Sequence, residues 1–496
     1  MLWDVLVIGG GATGLGVAVD AAARGLKTAL VEQSDFAKGT SSRSTKLIHG
    51  GFRYLKQGNI ALVRESLHER GLLLRNAPHL VHPLNFIVPC YQWWEAPYYG
   101  LGLKLYDWFA GGLGLQSSRQ LERDEALGQL PNLQPAHLLG GIRYQDGQFD
   151  DARLAIALAQ TATTLGATVV NYVCVVALLK KDGRVAGARV CDVESGKEFP
   201  LHARVVINAT GVFTDAVRRM DEASAPPIIA ASQGVHLVLP REFLGGNTAI
   251  MVPRTDDGRV LFIIPWEDRV LVGTTDTAVS EIPLEPRPLA TEITFLLEHA
   301  AQYLANAPGR SDILSVTAGL RPLVKLPGAK STAALPRDHV VLVSPGGLIT
   351  IAGGKWTTYR KMAANAVDKA MAVAGLPTKP CVTESLRLAD TRHRSGQSAS
   401  ETIASTSENG PRSRHLHPDL PLTADDVLHA ARHEMARTVE DVLTRRSRSL
   451  LLDARAAMEA APAVAALLTK GFGRGPVWEA EQVALFRELA QGYLPP

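Results

Sequence analysis

The start of this chain limits most strongly what it can fold into. Residues 3–8 are a run of strand length, apolar but for Asp4, that ends in Gly9, Gly10 and Gly11, and Gly14 and Gly16 follow inside an Ala-rich segment of helical character. Gly9 lets the chain turn tightly, Gly11 lets the backbone approach a pyrophosphate, and Gly14 lets the helix close on the strand. The first turn of that helix offers unpaired N–H groups to phosphate. Residues 27–31 form a second strand, and Glu32 at its end is placed to accept both hydroxyls of an adenosine ribose. A bare G-x-G-x-x-G says little, but strand, glycine turn, helix, strand and terminal acid in sequence predict a dinucleotide site in an α/β fold.

Residues 40–55, TSSRSTKLIHGGFRYL, select the dinucleotide. A nicotinamide-only fold would run on into ordinary helix and strand here. A flavin needs small donors along its ribityl chain and a flat bed for its ring, and this stretch supplies hydroxyls, then Gly50 and Gly51, with Lys46 and His49 interleaved. The reading is FAD, with Thr40, Ser41, Ser42, Lys46, Leu47, His49 and Gly50 as contacts. No second G-x-G-x-x-G occurs, so no site for NAD(P)H is apparent and the substrate itself must reduce the flavin.

A net charge of +3 and the lack of an arginine-rich stripe exclude nucleic acid as the expected partner. The four cysteines, Cys90, Cys174, Cys191 and Cys381, show no C-x-x-C spacing, so no metal is expected and the thiols read as buried or inert. Strand character from residue 3 leaves no room for a leader, and no uncharged apolar run has spanning length. The expected location is therefore cytoplasmic.

The remaining chain divides by composition and periodicity. Residues 1–90 read as the first part of the FAD-binding domain and 91–145 as an aromatic insertion. Within it, YQWWEAPYYGLGLKLYDWFAGGLGL puts Leu101, Leu105, Trp108 and Phe109 on one helical face, with Lys104 and Asp107 on the other. Residues 146–221 read as the second part of the FAD-binding domain: a helix over 151–167, then an antiparallel meander whose last strand ends in Thr210 and Gly211 at the cofactor. Residues 222–345 suggest a mixed-sheet substrate domain, and 346–380 a final strand and helix that return to the flavin through Gly353, Gly354 and Lys355. Residues 391–421 are rich in Ser, Thr, Arg, His and Pro and read as a flexible linker, and 422–496 as a small helical domain.

The motifs TSSRSTKLIHGGFRYL, GIRYQDGQFDDARL, INATG, VLVGTTD, GLRPL, AGGKWTTYRK and EMARTVEDVLTRRSRSLLLDARAAMEAAP closely resemble those of the FAD-dependent, quinone-linked glycerol-3-phosphate dehydrogenases, from residue 4 to about 470. Val212 and Phe213 stand where that family usually has Pro-Trp, and the calcium-binding extension of mitochondrial members is missing, which implies a bacterial-type enzyme. The resemblance implies a single-dinucleotide flavoprotein fold and noncovalent FAD. It also implies oxidation of glycerol 3-phosphate to dihydroxyacetone phosphate and transfer of electrons to a membrane quinone.

Oxidising a secondary alcohol requires a base for the hydroxyl proton and positive charge beside the reduced flavin. Lys355, at the start of the helix after Gly353 and Gly354, suits the second task; Thr357 and Thr358 read as helix caps or flavin donors. By resemblance Arg321 and Arg337 are phosphate ligands, with Arg53 and Tyr54 lining the same pocket. His236 lies in an apolar strand, where a core histidine is the plain reading; the family pattern makes it the base. His49 is assigned a structural or flavin-bed role.

Because quinones live in the bilayer, the surface expected to meet the membrane is 91–115, with Trp93, Trp94, Tyr98, Tyr99, Tyr106 and Trp108 at headgroup level and the protein peripheral on the inner face of the cell membrane. The alternatives are an oxidase that hands electrons to oxygen, an amine or amino-acid oxidase on the same frame, and a flavin-binding regulatory protein without turnover. The oligomeric state is open, a homodimer being one option.

Overall fold

The computed structural model describes residues 1–51, 59–256, 258–325, 338–390 and 415–496. Arg53, Tyr54 and Arg337, expected in the substrate pocket, lie outside the described residues, as do residues 391–414 of the expected linker.

Two sheets organise the chain. In the first, Leu2–Ile8 pairs in parallel with Thr28–Val31 on one side and Glu198–Asn208 on the other. Glu198–Asn208 pairs in parallel with Ile349–Gly353, and Thr168–Val170 extends the opposite side. The central strand is buried from Val5 to Ile8, as a parallel strand covered on both faces must be. The helices Ala12–Ala23, Asp151–Thr164 and Tyr359–Ala374 join one core with this sheet. The antiparallel hairpin Val173–Lys181 and Arg184–Asp192 extends from Glu198–Asn208 and closes a smaller core on the other face. The meander expected in 146–221 is this hairpin followed by Glu198–Asn208.

Among the described residues the second sheet has ten strands, centred on Ile229–Pro240, Arg269–Gly273, Leu261–Trp266 and Ala249–Val252. It continues through Val81–Cys90 and Gly140–Phe149 to the short Leu47–Ile48, and Ser315–Val324 pairs along its whole length with residues 229–238 of Ile229–Pro240. The boundaries expected near residues 90 and 145 therefore fall inside one continuous sheet. Val81–Cys90 is ten residues of strand despite Pro83 and Pro89.

The carboxy-terminal helices Ala424–His433, Ala454–Phe472 and Pro476–Gln491 do not form a separate core. Their apolar faces pack with Val238, Ile264 and Trp266 of the second sheet and with Tyr99 and Leu103 of the aromatic helix Glu95–Ala110. Ion pairs bind them to the first sheet as well. Arg445 and Arg446 both meet Asp35, and Arg153 meets Glu434. Burial opposes the charge on Asp35, yet the two guanidiniums hold its carboxyl down at about 2.

Candidate active site

Two groups of cavities meet where Ile349–Gly353 ends. The larger, about 380 Å³, is lined by Gly9, Gly11, Glu32, Thr40, Ser41, Thr210, Gly211 and the run from Gly353 to Trp356. Its floor is the glycine turn. Gly9 has φ of +108°, and a Cβ there would stand 2.7 Å from the Ala209 carbonyl oxygen. Gly14 lies behind the turn, where a Cβ would come within 1.9 Å of the Gly9 carbonyl oxygen, so its role is close packing of helix on strand. Glu32 accepts hydrogen bonds from Gly10 N at 2.6 Å and Ser34 N at 2.9 Å. Burial raises its pKa in spite of these two donors. Ser41 Oγ accepts from Ala12 N at 2.9 Å and Ser41 O from Trp356 Nε1 at 2.9 Å, which ties residues 40–42 to the helix start and to the strand end. An acidic acceptor at one end, backbone N–H groups at the other and a glycine floor between them fit the adenosine diphosphate part of FAD.

The second region comprises two adjoining cavities of about 180 and 140 Å³ that share Thr45, His49 and Arg321. The first of these also shares Thr40, Pro322 and the run from Gly353 to Trp356 with the large cavity, so the three form one trough. His236 and Arg321 come from paired strands. Each lies over a glycine of a neighbouring strand: a Cβ on Gly273 would be 2.1 Å from the His236 ring, and one on Gly234 would be 2.2 Å from Arg321 Nη2. Arg321 is aimed by Thr274 Oγ1 at 3.0 Å, Thr275 O at 2.9 Å and Gln233 O at 3.3 Å, with Asp276 at 3.7 Å.

His236 is buried, and its Nε2 lies 2.9 Å from Thr45 Oγ1. Burial, with help from Lys46 and Arg321, depresses its pKa to about 3. The ring is thus held neutral across the physiological range, because it is dry and flanked by cations.

The other predicted residues divide into lining and support. Leu47, His49, Gly353, Gly354, Lys355 and Thr357 line the trough. Lys46 does not: its ammonium turns inward to Asp151 at 2.6 Å and to Ser42 O at 2.9 Å. Gly50 is held by its N–H on the Tyr106 hydroxyl at 2.7 Å, and Ser42 is buried. Thr358 is the N-cap residue of Tyr359–Ala374, but neither the Thr357 nor the Thr358 hydroxyl caps the helix. Their hydroxyls donate to His49 O and Lys355 O, each at 3.4 Å, and the helix proper starts at Tyr359. Sequence reasoning assigned no role to Arg259, Tyr144, Thr274 or Asp276, which line the far end of the trough. Thr274 and Asp276 lie in VLVGTTD, a motif that had already been singled out; Arg259 had no signal beyond its charge.

The aromatic helix also departs from its projection. Tyr99, Leu103, Tyr106 and Ala110 form the buried face. Tyr106 and Tyr99 are thus core residues, Tyr106 donating to Asp146 at 2.8 Å, while Trp93 is 81% exposed, Trp108 74% and Leu101 66%. Lys104 lies on the exposed side with them.

A family model described as "FAD dependent oxidoreductase" matches residues 4–360, and one described as "C-terminal domain of alpha-glycerophosphate oxidase" matches residues 348–482. Mouse mitochondrial glycerol-3-phosphate dehydrogenase is 43% identical over 94% of this chain and 70% of its own length. The mitochondrial enzyme SDP6 of Arabidopsis thaliana is 42% identical over 94% of this chain and 82% of its own length. Among solved structures, a glycerol-3-phosphate dehydrogenase from Bacillus halodurans complexed with FAD superposes with a TM-score of 0.78 at 27% identity, covering 100% of this chain and 96% of that one.

Proposed function

Because the chain belongs to the FAD-dependent glycerol-3-phosphate dehydrogenases, we propose that it oxidises sn-glycerol 3-phosphate to dihydroxyacetone phosphate with noncovalently held FAD and passes the electrons to a membrane quinone. The observation that carries the reading is the trough itself, in which a neutral, buried His236 and a firmly aimed Arg321 line one cavity with Lys355, which also lines the dinucleotide cavity.

FAD, when bound, supplies the hydride acceptor. Glu32 holds the adenosine ribose, and the N–H groups at the start of Ala12–Ala23 hold the pyrophosphate. Lys355, which lines both cavities, supplies positive charge there. Arg321 takes the substrate phosphate, with Arg259 as a second cation at the same end. His236, which burial keeps unprotonated, accepts the proton of the secondary hydroxyl. Arg53, Tyr54 and Arg337 remain proposed members of this pocket from the resemblance alone.

Anaerobic addition of sn-glycerol 3-phosphate to the yellow protein should bleach the flavin, and glycerol at the same concentration should bleach it far more slowly. A flavin left oxidised by glycerol 3-phosphate would refute the reading, and rapid peroxide release in air would assign the electrons to oxygen instead of a quinone.

The exposed Trp93, Trp94, Tyr98, Leu101, Leu105 and Trp108 support a peripheral seat on the inner face of the cell membrane. They gather amphipathic rings and apolar side chains on the exposed face of Glu95–Ala110 and the two residues before it. Among the described residues no helix is long and apolar enough to cross a membrane. Changing Trp93, Trp94, Leu101 and Trp108 to serine should abolish sedimentation with liposomes and quinone reduction while anaerobic bleaching persists; unaltered sedimentation would put the docking face elsewhere.

A further inference from the structure

Residues 40–49 face the trough on one side and a buried ion cluster on the other. Asp151, at the start of Asp151–Thr164, has no exposed surface. It accepts hydrogen bonds from Ser44 N at 3.0 Å, Ser44 Oγ at 2.7 Å, Lys46 Nζ at 2.6 Å and Arg448 Nη2 at 3.0 Å. Lys46 Nζ and Arg448 Nη2 also both donate to Ser42 O, at 2.9 and 3.1 Å. Two cations thus share one carboxylate and one carbonyl, and between the anchored Ser44 and Lys46 stands Thr45, whose hydroxyl meets His236.

Arg448 reaches this cluster from the carboxy-terminal helical region in a conformation that an arginine adopts only under constraint. The π-helical turn Asp441–Arg446 precedes it, and its own φ is +63°, in the left-handed region. Attachment of the helices to the first sheet does not need this, since Arg445 and Arg446 already bind Asp35. Arg448 is buried, as are Lys46, Asp151 and His236. A cluster that ends on the partner of a catalytic ring has a mechanical consequence: the contact of the Thr45 hydroxyl with Nε2 fixes the rotation of the imidazole.

We propose that Arg448 is a positioning residue for His236, completing the Lys46–Asp151–Arg448 cluster that fixes the Thr45 hydroxyl against the ring. The carboxy-terminal helical region then contributes to the reaction besides covering the second sheet. The proposal rests on the reading of His236 as the base. A displacement of about 1 Å in such a constellation costs on the order of a hundredfold in rate.

The test uses the FAD-loaded full chain mixed anaerobically with sn-glycerol 3-phosphate in a stopped-flow instrument. Arg448→Gln should lower the limiting rate of flavin reduction about ten- to a hundredfold. The half-saturating substrate concentration should change by less than about threefold, since Arg321 is untouched. FAD content and melting temperature, measured on the same preparation, should show a folded, loaded protein. Guanidinium ion at millimolar concentration should restore part of the rate in Arg448→Gln and none in wild type.

An unchanged limiting rate in loaded Arg448→Gln overturns the proposal. So does a rate loss that only follows lost FAD content. If wild type itself is not reduced, the functional reading falls and takes this proposal with it; reduction of wild type with no effect of Arg448 removes the proposal alone. Should Arg448→Gln fail to fold, Thr45→Val carries the test. It must reproduce the rate loss with FAD content intact, and a wild-type rate in that variant overturns the proposal.

Discussion

The cofactor cavity and the substrate end of the trough share a wall from Gly353 to Trp356, yet they are made of different material. The cofactor cavity is largely backbone: a glycine turn, N–H groups at a helix start and the ends of parallel strands, with Glu32 as its main charged side chain. The substrate end is side chain: Arg321, His236, Arg259, Asp276 and Thr45 standing on a mixed sheet. Backbone sites fail through shape and side-chain sites fail through charge or proton transfer. The two ends should therefore respond differently to substitution.

The largest effect expected is at Gly14. An alanine there puts its Cβ 1.9 Å from the Gly9 carbonyl oxygen, and backbone on both sides leaves no flexible end to give way. Gly14→Ala should purify without yellow colour, checked by absorbance at 450 nm after desalting. Full retention of FAD would show that the turn is looser than its packing.

Next in size is His236→Ala. The limiting rate of anaerobic bleaching should fall about a hundredfold or more, the usual worth of a positioned base, with FAD retention unchanged. A variant that lost its colour as well would erase the division between the two ends.

Arg321→Ala should remove a charge-assisted contact of about 1.5–3 kcal/mol, raising KM for glycerol 3-phosphate by roughly ten- to a hundredfold. Turnover of glycerol, which has no phosphate, should be indifferent. Equal losses for both substrates would mean that Arg321 shapes the pocket through Thr274 and Gln233 instead of reading phosphate.

The same contrast governs what could be read without coordinates. The backbone site was almost wholly legible, because glycine spacing, an apolar strand and a terminal acid are local in sequence and each has a steric reason. The substrate end was not. His236 and Arg321 look like a core histidine and a stray arginine until Ile229–Pro240 and Ser315–Val324 pair and bring them over Gly273 and Gly234. Only a family resemblance singled them out. Lys46 was misread because a lysine among hydroxyls suggests a ligand, whereas its true partner, Asp151, lies far along the chain. Helical projection likewise grouped the apolar residues of the aromatic segment but could not say which face would meet the core; the buried face is set by Tyr106 reaching Asp146.

Glu32 offers the smallest effect and the finest test, because it is the exception in the backbone site. Its carboxylate is held by Gly10 N and Ser34 N, and burial still raises its pKa above the ordinary 4.5. For an acid whose folded pKa is raised, the folded protein retains a proton that the unfolded chain releases. The resulting stability is full below pH 4.5 and is lost as pH rises through the folded value. A ribose diol reverses that preference, since both hydroxyls donate to the ionised carboxylate and pull its pKa down. FAD affinity should therefore increase with pH from 4.5 upward until Glu32 is ionised without ligand, then level off. Glu32→Gln keeps an acceptor oxygen but no titratable charge, so reconstitution of apoprotein, followed by flavin fluorescence between pH 5 and 8, should lose that slope. At neutral pH it should bind FAD about fivefold more weakly, the difference of about 1 kcal/mol between a charged and a neutral acceptor. Its limiting rate of bleaching once loaded should match wild type. A slope that survives in Glu32→Gln would transfer the titration to another group, and a slowed limiting rate would mean that the two ends of the trough are coupled through the wall they share.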